Sequence, residues 1–390
     1  MAAAREFDIV LFGATGFTGG LTADYLATHA PAGLRWALAG RNPDKLQRVR
    51  DRVASLDERW EELPLLHAEV NDADSLTAVA ERAKVVITTV GPYLEYGEPL
   101  VAACAAAGTD YVDLTGEPEF VDRMWTAHHA TAVESGARIV HACGFDSIPH
   151  DLGALFTVRH LPDDQPINLR GVVRAKGMFS GGTFHSAMNA FSRAKQMKEA
   201  SGARRSAEPR PEGRSSKPAG AKPQRDPVLG YWLLPLPTID PIVVARSGAA
   251  LPVYGPKFRY SHFAGTRTLR YAGGAALGVT ALGLAAQVKP VRNLLLKRVP
   301  QGEGPDQARR DASWFTVHFV GEAGGQTVHT LVSGGDPGYT ETAKMLAQSA
   351  LCLAFDDLPP TAGQVTTAQA MGQALIDRLQ AEGITFEVVA

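Results

Sequence analysis

The chain has 390 residues, a formal net charge of −2, and a composition of 45% hydrophobic and 21% charged residues. This size leaves room for two domains, and the balanced charge gives no indication of nucleic acid or of a strongly acidic partner. The three cysteines lie far apart in apolar stretches without the spacing of metal ligands, so we expect reduced core thiols and no metal. The first apolar strand begins near Phe7, which leaves no room for a signal peptide, and we therefore expect a cytoplasmic protein.

The first 150 residues alternate between strand and helix patterns. The strands are short, continuous apolar runs, which are typical of a parallel sheet covered on both faces. We therefore predict an α/β fold with a Rossmann-type doubly wound parallel sheet. The predicted strands are Asp8–Phe12, Trp36–Ala39, Leu65–Glu69, Val85–Thr89, Tyr111–Leu114 and Arg138–Ala142. The predicted helices are Leu21–Thr28, Asp44–Leu56, Ser75–Arg82, Pro99–Ala107 and Glu119–Ser135.

A glycine-rich turn follows the first strand. Gly13, Gly16 and Gly19 have the spacing G-x-x-G-x-x-G between an apolar strand and a helical pattern. Here Gly13 permits a tight turn, Gly16 lets the backbone approach phosphate oxygens, and Gly19 lets the helix pack closely on the strand. The turn predicts a dinucleotide site at the helix N-terminus, with an ordinary structural turn as the alternative. The predicted cofactor contacts of this turn are Gly13, Ala14, Thr15, Gly16, Phe17 and Thr18.

Arg41 indicates which dinucleotide is bound. The second strand ends at Ala39-Gly40-Arg41, without the Asp or Glu that bonds the ribose hydroxyl in NAD-specific sites. A guanidinium at this position can pair with a 2′-phosphate, and Lys45 could add a second cation. The pattern therefore predicts NADP(H), with a solvated surface arginine as the alternative.

Further candidate residues follow the later strands of the sheet, where ligands of parallel sheets bind. Tyr93 and Asp146 are candidate proton donors there, as is His185 in the second half of the chain. Core packing does not require a polar aromatic at Tyr93, which could stack on the nicotinamide ribose or donate a hydrogen bond. The alternatives are a satisfied histidine at His185 and a helix N-cap at Asp146 or Ser147. The predicted cofactor contacts at these strand ends are Thr89, Val90, Gly91, Pro92, Tyr93, Phe145 and Asp146. The other groups that could transfer a proton, or instead cap a helix, are Asp113, Glu117 and His150.

The pattern changes from about Leu152. Residues 168–180 and 313–333 are predicted strands, and a helix is predicted from Ser180 to Lys198. Residues 201–227 are rich in Pro, Arg, Lys, Ser and Gly, and the part from Arg204 to Arg225 has seven Lys or Arg against two Glu. We expect a disordered basic loop there, with contact to anionic lipid or to an acidic carrier domain as the alternative.

An uncharged segment, Tyr271–Val288, just reaches the length of a membrane-spanning helix, but it consists mostly of Ala and Gly. We expect a buried helix or one that lines an acyl channel. The alternatives are peripheral contact of residues 271–298 with a membrane surface, and a true span. Helices are predicted again at Tyr339–Phe355 and Thr367–Glu382, followed by a strand at Phe386–Val389.

Motifs along nearly the whole chain carry a family resemblance. They are Val10–Gly19, Ala39–Arg41, Thr89–Tyr93, Gly97–Cys104, Gly108–Glu117, Gly144–Pro149, Gly181–Thr183, Phe258–Ser261 and Gly335–Ala343. They resemble the saccharopine dehydrogenase-like oxidoreductase family, and more narrowly the trans-acting enoyl reductases of actinobacterial lipid and polyketide biosynthesis. No Tyr has a Lys four residues later, so the Tyr-x-x-x-Lys donor of short-chain dehydrogenases is missing.

The resemblance implies three regions. These are an NADP-binding Rossmann domain at 1–150, a second α+β domain on a mixed sheet at 151–334, and C-terminal helices at 335–390 that pack back on the first domain. It also implies reduction by NADPH of an enoyl thioester held on a polyketide synthase, and it leaves the oligomeric state open, a dimer included. Cofactor contacts carry over to Gly13, Thr15, Gly16, Phe17, Arg41 and Thr89–Tyr93. No residue carries over as the proton donor.

Two other functions stay open from the sequence. The chain could be a saccharopine dehydrogenase-like imine or amino-acid dehydrogenase, because such a substrate needs cations for its carboxylates. It could also be a lipid-associated protein that binds NADPH without turnover. The cations available to a carboxylate substrate are Arg170, Arg174, Lys176, Arg246, Lys257 and Arg259.

Overall fold

The computed structural model describes residues 5–177, 188, 191–298 and 304–389. The chain divides into two compact units. The first consists of Met1–Phe145, Gly302–Gly304 and Tyr339–Arg378, and the second of Asp146–Gln301, Pro305–Gly338 and Leu379–Ala390. The sequence placed the borders at residues 150 and 334. The residues from Leu379 onwards belong to the second unit, although they were expected with the first.

The first unit contains parallel strands connected by helices. Its strands are β1 (Phe7–Phe12), β2 (Trp36–Gly40), β3 (Leu65–His67), β4 (Ala83–Thr88), β5 (Asp110–Asp113), β6 (Arg138–Val140) and β14 (Gly363–Val365). Its helices are α1 (Phe17–His29), α2 (Pro43–Leu56), α3 (Ala73–Arg82), α4 (Tyr93–Tyr96), α5 (Glu98–Ala107), α6 (Pro118–Ser135), α13 (Thr340–Phe355), α14 (Thr367–Ala370) and α15 (Gly372–Ala381), of which α15 runs on into the second unit.

The sheet of the first unit has the order β14-β6-β5-β4-β1-β2-β3, with every neighbouring pair parallel. β1 is central and buried along its length, with Leu11 opposite Leu38 of β2 and Ile87 of β4. The order 3-2-1-4-5-6 is that of doubly wound dinucleotide-binding sheets, so the predicted fold is confirmed. β14 was not predicted, because three residues are too few to show a periodic pattern.

Asp8 connects the start of β1 to both of its neighbours. Its carboxylate is 4% exposed and accepts hydrogen bonds from the backbone N–H and the guanidinium of Arg35, just before β2. Nζ of Lys84 in β4 lies 2.8 Å from its Oδ1. Burial raises the pKa of Asp8, but the donors from Arg35 and Lys84 outweigh it and lower the pKa to about 2.

The second unit contains a larger mixed sheet. Its strands are β7 (Ile167–Lys176), β8 (Ser215–Pro218), β9 (Gln224–Arg225), β10 (Trp232–Pro235), β11 (Lys257–Thr266), β12 (Trp314–Ala323), β13 (Gln326–Gly334) and β15 (Thr385–Val388). Its helices are α7 (Ile148–Val158), α8 (Ala194–Ala207), α9 (Asp240–Ala250), α10 (Leu269–Gln287), α11 (Lys289–Arg298) and α12 (Gln307–Asp311). The single strand expected at 313–333 is a hairpin, because Gly324 and Gly325 both have positive φ and turn the chain between β12 and β13.

This second sheet has the order β15-β13-β12-β7-β11-β10-β9, and β8 also pairs with β11. β11 is parallel to β7 and β8, whereas the other pairs are antiparallel. The mixed sheet that the resemblance implies is therefore confirmed. α7 packs closely on β12, since a Cβ at Gly153 would lie 2.3 Å from the ring of Phe319.

The basic segment 201–227 is ordered in the structure, whereas its composition predicts a disordered loop. α8 extends to Ala207, β8 pairs with β11, and β9 pairs with β10. The guanidinium of Arg214 donates to the backbone oxygens of Gly248 and Leu251 at the end of α9, and to that of Gly255. A cation that satisfies the last carbonyls of a helix fixes the chain around it, and composition alone does not show such a partner.

The uncharged segment forms α10, which α11 follows. The expectation of a buried helix is wrong for its described large side chains, because Leu282 and Leu284 are exposed, the latter to 68%. In α11, Val291 and Leu294 are exposed as well. No helix among the described residues is long and apolar enough to cross a membrane.

We expect Asp8→Asn to lower the free energy of unfolding by about 1–2 kcal/mol near pH 7, because the amide loses the charge-assisted bonds. The folded-state pKa of Asp8 lies below its unfolded value, so this stability is present above about pH 4 and is lost as the pH falls to 2. Denaturant unfolding at several pH values measures the difference. Glu6→Gln is the matched control, since the Glu6–Arg82 pair is exposed. A difference that stayed undiminished at pH 2 would contradict this account.

Candidate active site

The glycine-rich turn is built by a close three-way approach of β1, α1 and β4. Gly13 has φ +98°, and a Cβ there would lie 2.7 Å from Oγ1 of Thr89. A Cβ at Gly19 would lie 2.2 Å from the backbone oxygen of Gly13. The Thr89 hydroxyl donates to that same oxygen at 3.1 Å. Any side chain at Gly13 or Gly19 would therefore separate the helix from the sheet.

The N-terminus of α1 has the features of an anion site. Its N-cap, Gly16, has extended backbone and no capping side chain, and the first turn has no acidic residue. A Cβ at Gly16 would have only the Gly13 oxygen within 4 Å, at 3.6 Å, so the space above the turn is open. Because the positive end of the helix dipole meets this open space, the residues present fit the pyrophosphate of a dinucleotide.

Arg41 and Lys45 stand where the sequence placed a 2′-phosphate contact. Arg41 directly follows β2, and Lys45 lies in the first turn of α2, whose N-cap Asn42 accepts a hydrogen bond from the Lys45 N–H. Both side chains are exposed, and neither forms an ion pair with a residue that the structure describes. Two uncompensated cations at this strand end suit the additional phosphate of NADP(H).

Tyr93 lies in the core of the first unit. Its hydroxyl donates to the backbone oxygen of Thr88 at 3.1 Å and accepts from the N–H of Leu114 at 3.1 Å. Burial and then the nearby charge of Asp113 raise its pKa well above the usual value. These contacts connect the ends of β4 and β5, so the geometry supports a structural contribution and gives no support to Tyr93 as a proton donor.

Asp113 and Glu117, the other acidic candidates of the first unit, also bond to backbone. Asp113 accepts from Tyr111, from His141 and from the N–H groups of Thr115 and Ala142. Glu117 accepts from the first N–H groups of α4. Ala142 has φ +59°, an uncommon conformation for a residue with a side chain, and its bond to Asp113 helps to hold it there. We infer structural roles for both carboxylates.

Phe145 and Asp146 follow the end of β6. The Phe145 N–H donates to Oγ1 of Thr342 in the first turn of α13, within the first unit. Asp146 begins the second unit, where burial and then the charge of Asp240 raise its pKa to about 6, while His150 acts in the opposite direction. Ser147, not Asp146, is the N-cap of α7, although its side chain makes no capping bond, so the capping alternative does not hold for Asp146. Asp146 therefore retains a carboxyl group that can be protonated near neutral pH.

His185, the third proton-donor candidate, lies outside the described residues, as do Gly181–Thr183. In the second unit, the structure brings together a buried group that sequence reasoning missed: His150, Asp240 and His262, with Tyr260 beside them. His150 had been considered only for proton transfer or capping. Its partners come from α9 and β11, far along the chain, and no local spacing indicates that they meet.

Comparisons with known proteins agree with this geometry. Residues 9–140 match the family model described as the saccharopine dehydrogenase NADP binding domain. A putative trans-acting enoyl reductase of Mycobacterium tuberculosis is 39% identical over 99% of this chain and 98% of its own length. A trans-acting enoyl reductase of Mycobacterium ulcerans is 36% identical over 98% of both chains.

Among solved structures, apo saccharopine dehydrogenase (L-Glu forming) from Saccharomyces cerevisiae is similar, with a TM-score of 0.54 over 98% of this chain and 99% of that one. At 13% identity this likeness shows the fold alone. The matched domain and the near-full-length relatives together establish the ancestry: the chain has an NADP-binding domain and belongs to the trans-acting enoyl reductases of the saccharopine dehydrogenase-like oxidoreductase family.

Proposed function

We propose that this protein is an NADPH-dependent enoyl reductase that saturates the carbon–carbon double bond of an α,β-unsaturated acyl thioester. The observation that carries the proposal is the combination of an intact dinucleotide turn with relatives, named for this activity, that match along nearly their whole length. The relatives' description as trans-acting supports an acyl group presented by a separate protein, for which we propose a carrier domain of a polyketide synthase.

The reaction needs a hydride at the β-carbon and a proton at the α-carbon. NADPH would supply the hydride when bound. The glycine-rich turn and the N-terminus of α1 would hold its pyrophosphate, and Arg41 with Lys45 would hold its 2′-phosphate. Asp146 is the proposed donor of the proton, because its carboxyl group does not cap a helix and its pKa lies at about 6.

Two of the six cations considered for a carboxylate substrate are already paired, which weakens the case for an imine with several carboxylates. Arg170 already pairs with Asp226 and Glu322, each at 2.7 Å. Nε of Arg246 lies 3.4 Å from Oε1 of Glu208. Cations neutralised in this way are not available to a second set of carboxylates, so the enoyl thioester remains the preferred substrate class.

We also propose that α10 and α11 bring the protein to a membrane surface. Their exposed large side chains include Leu269, Leu284 and Leu294. Residues 267–298 contain six Lys or Arg and no Asp or Glu. Exposed apolar side chains among basic residues fit an anionic lipid surface.

Arg41→Ala should weaken NADPH binding about 10- to 100-fold and leave NADH binding unchanged, because the guanidinium would pair with the 2′-phosphate that NADH lacks. Fluorescence titration with both nucleotides measures the two dissociation constants. Arg48→Ala, which removes an exposed cation within α2, is the matched control. Equal weakening of NADPH and NADH would show that Arg41 does not select the cofactor.

Enoyl thioesters should drive NADPH oxidation by the wild-type protein, and carrier-bound ones should do so best. Absorbance of NADPH follows the reaction with a panel of enoyl thioesters and, for comparison, imines formed from glutamate semialdehyde. Failure of every enoyl thioester, carrier-bound ones included, would overturn the proposed function.

Within that assay, Asp146→Asn should lower kcat about 100-fold with little change in KM, since the amide keeps the shape but supplies no acidic proton. Asp164→Asn, at an exposed position of the second unit, is the control. An unchanged kcat in Asp146→Asn would remove Asp146 as the donor while leaving the reductase activity standing.

The protein should float with vesicles that contain phosphatidylglycerol and less so with phosphatidylcholine alone, because both the charge and the apolar side chains contribute. The double variant Leu284→Gln/Leu294→Gln should lose most of this binding, whereas Leu56→Gln, an exposed leucine of α2, should not. Flotation that is equal for the wild type and the double variant would contradict contact through α10 and α11.

A further inference from the structure

The second unit contains a buried group of donor atoms that the proposed reduction does not use. His150 comes from the first turn of α7, Asp240 is the first residue of α9, and His262 lies in β11. All three side chains are at most 3% exposed. One ligand-type atom from each lies within 4.8 Å of the other two.

The carboxylate of Asp240 lies between the two imidazoles. Its Oδ1 is 2.8 Å from Nδ1 of His150, and its Oδ2 is 3.5 Å from Nε2 of His262. Ligands of a tetrahedral zinc ion, each about 2.0–2.2 Å from the metal, are separated by about 3.3 Å. The two observed distances involve different carboxylate oxygens and lie near that value, and one donor atom of each residue lies within 4.8 Å of the other two. Two histidines and one carboxylate are also the donor set of zinc sites with an open coordination position.

The burial of the group favours a cation. A buried carboxylate needs a compensating charge or hydrogen bonds, and Asp240 faces imidazole rings on two sides. A divalent ion would engage both rings and the carboxylate together.

A neighbouring residue orients His262 for this role. The Tyr260 hydroxyl lies 3.0 Å from Nδ1 of His262 and leaves Nε2 facing Asp240. Gly171 provides the space for that hydroxyl, since a Cβ there would lie 2.1 Å from it. A hydrogen bond to the second ring nitrogen is the usual support of a metal-bound histidine.

We propose that His150, Asp240 and His262 bind one divalent transition metal ion, and that this ion is zinc. The bound ion would connect α7 and α9 to β11. The site lies wholly within the second unit, and its occupancy does not depend on whether the chain reduces enoyl thioesters.

Metal analysis of the untagged full chain tests the site directly. The protein is stripped with EDTA, incubated with zinc chloride, desalted and analysed by mass spectrometry of the element. We expect about one zinc ion per chain, and Co²⁺ loaded in its place should give the visible absorption of a low-symmetry N/O site. A wild-type chain that retains less than about a tenth of an ion would overturn the proposal, leaving the group as a hydrogen-bonded imidazole–carboxylate cluster.

Variants locate the ion. Asp240→Asn and His262→Gln should each lose the bound zinc, and zinc should no longer raise their melting temperature. His318→Gln is the matched control, because His318 and His329 are another close histidine pair, with ring nitrogens 3.1 Å apart. Retention of zinc by Asp240→Asn, or its loss from His318→Gln, would place the metal elsewhere. If the variants at the site fail to fold, the zinc content of the wild-type chain and its Co²⁺ spectrum still test whether the metal site exists.

Discussion

The close approach of β1, α1 and β4 at the glycine-rich turn is the constraint on which the first unit depends. Gly13 and Gly19 are so close that the space for a Cβ at Gly19 is occupied by the Gly13 oxygen. Thr89 completes the contact by donating to that oxygen. The same contact that packs the helix on the sheet therefore presents the N-terminus of α1, without a capping side chain, at the edge where doubly wound sheets bind dinucleotides. In the proposed site, packing and cofactor recognition therefore depend on the same glycines.

Buried polar groups have different functions in the two units. In the first, Asp113 and Glu117 accept hydrogen bonds from backbone N–H groups, and Tyr93 bonds to the backbone on both sides. Such hydrogen bonds stabilise the ends of the strands. In the second unit, Asp240 faces two imidazoles, so its burial is compensated by side chains that could also bind a metal. The number of buried acids is therefore a poor guide to a catalytic site, whereas the partners of each acid are informative.

Local patterns predicted the first unit well and the second unit less well. The alternation of apolar runs with helices gave the strands of the Rossmann sheet to within a few residues, because each buried strand carries its own signal. The basic segment was predicted to be disordered, yet Arg214 donates to backbone oxygens at the end of α9, and β8 pairs with the distant β11. The apolar segment of α10 was expected to be buried or to line an acyl channel, yet Leu282 and Leu284 are exposed. Composition indicates whether a segment tends to be disordered or buried. Whether it is ordered or exposed in the fold depends on the residues that it contacts elsewhere in the chain.

The sequence by itself determined the cofactor class and the fold of the first unit. The glycine spacing, the absence of an acid after β2 and the presence of Arg41 are local features, and their chemistry acts over a few residues. Only the tertiary structure decided which candidate carboxylates accept hydrogen bonds from backbone N–H groups, as Glu117 does, and which, like Asp146, do not. It alone brought His150, Asp240 and His262 together, because these residues come from two helices and a strand whose packing no periodicity encodes. A local pattern specifies an element, whereas a site made from several elements exists only after they pack.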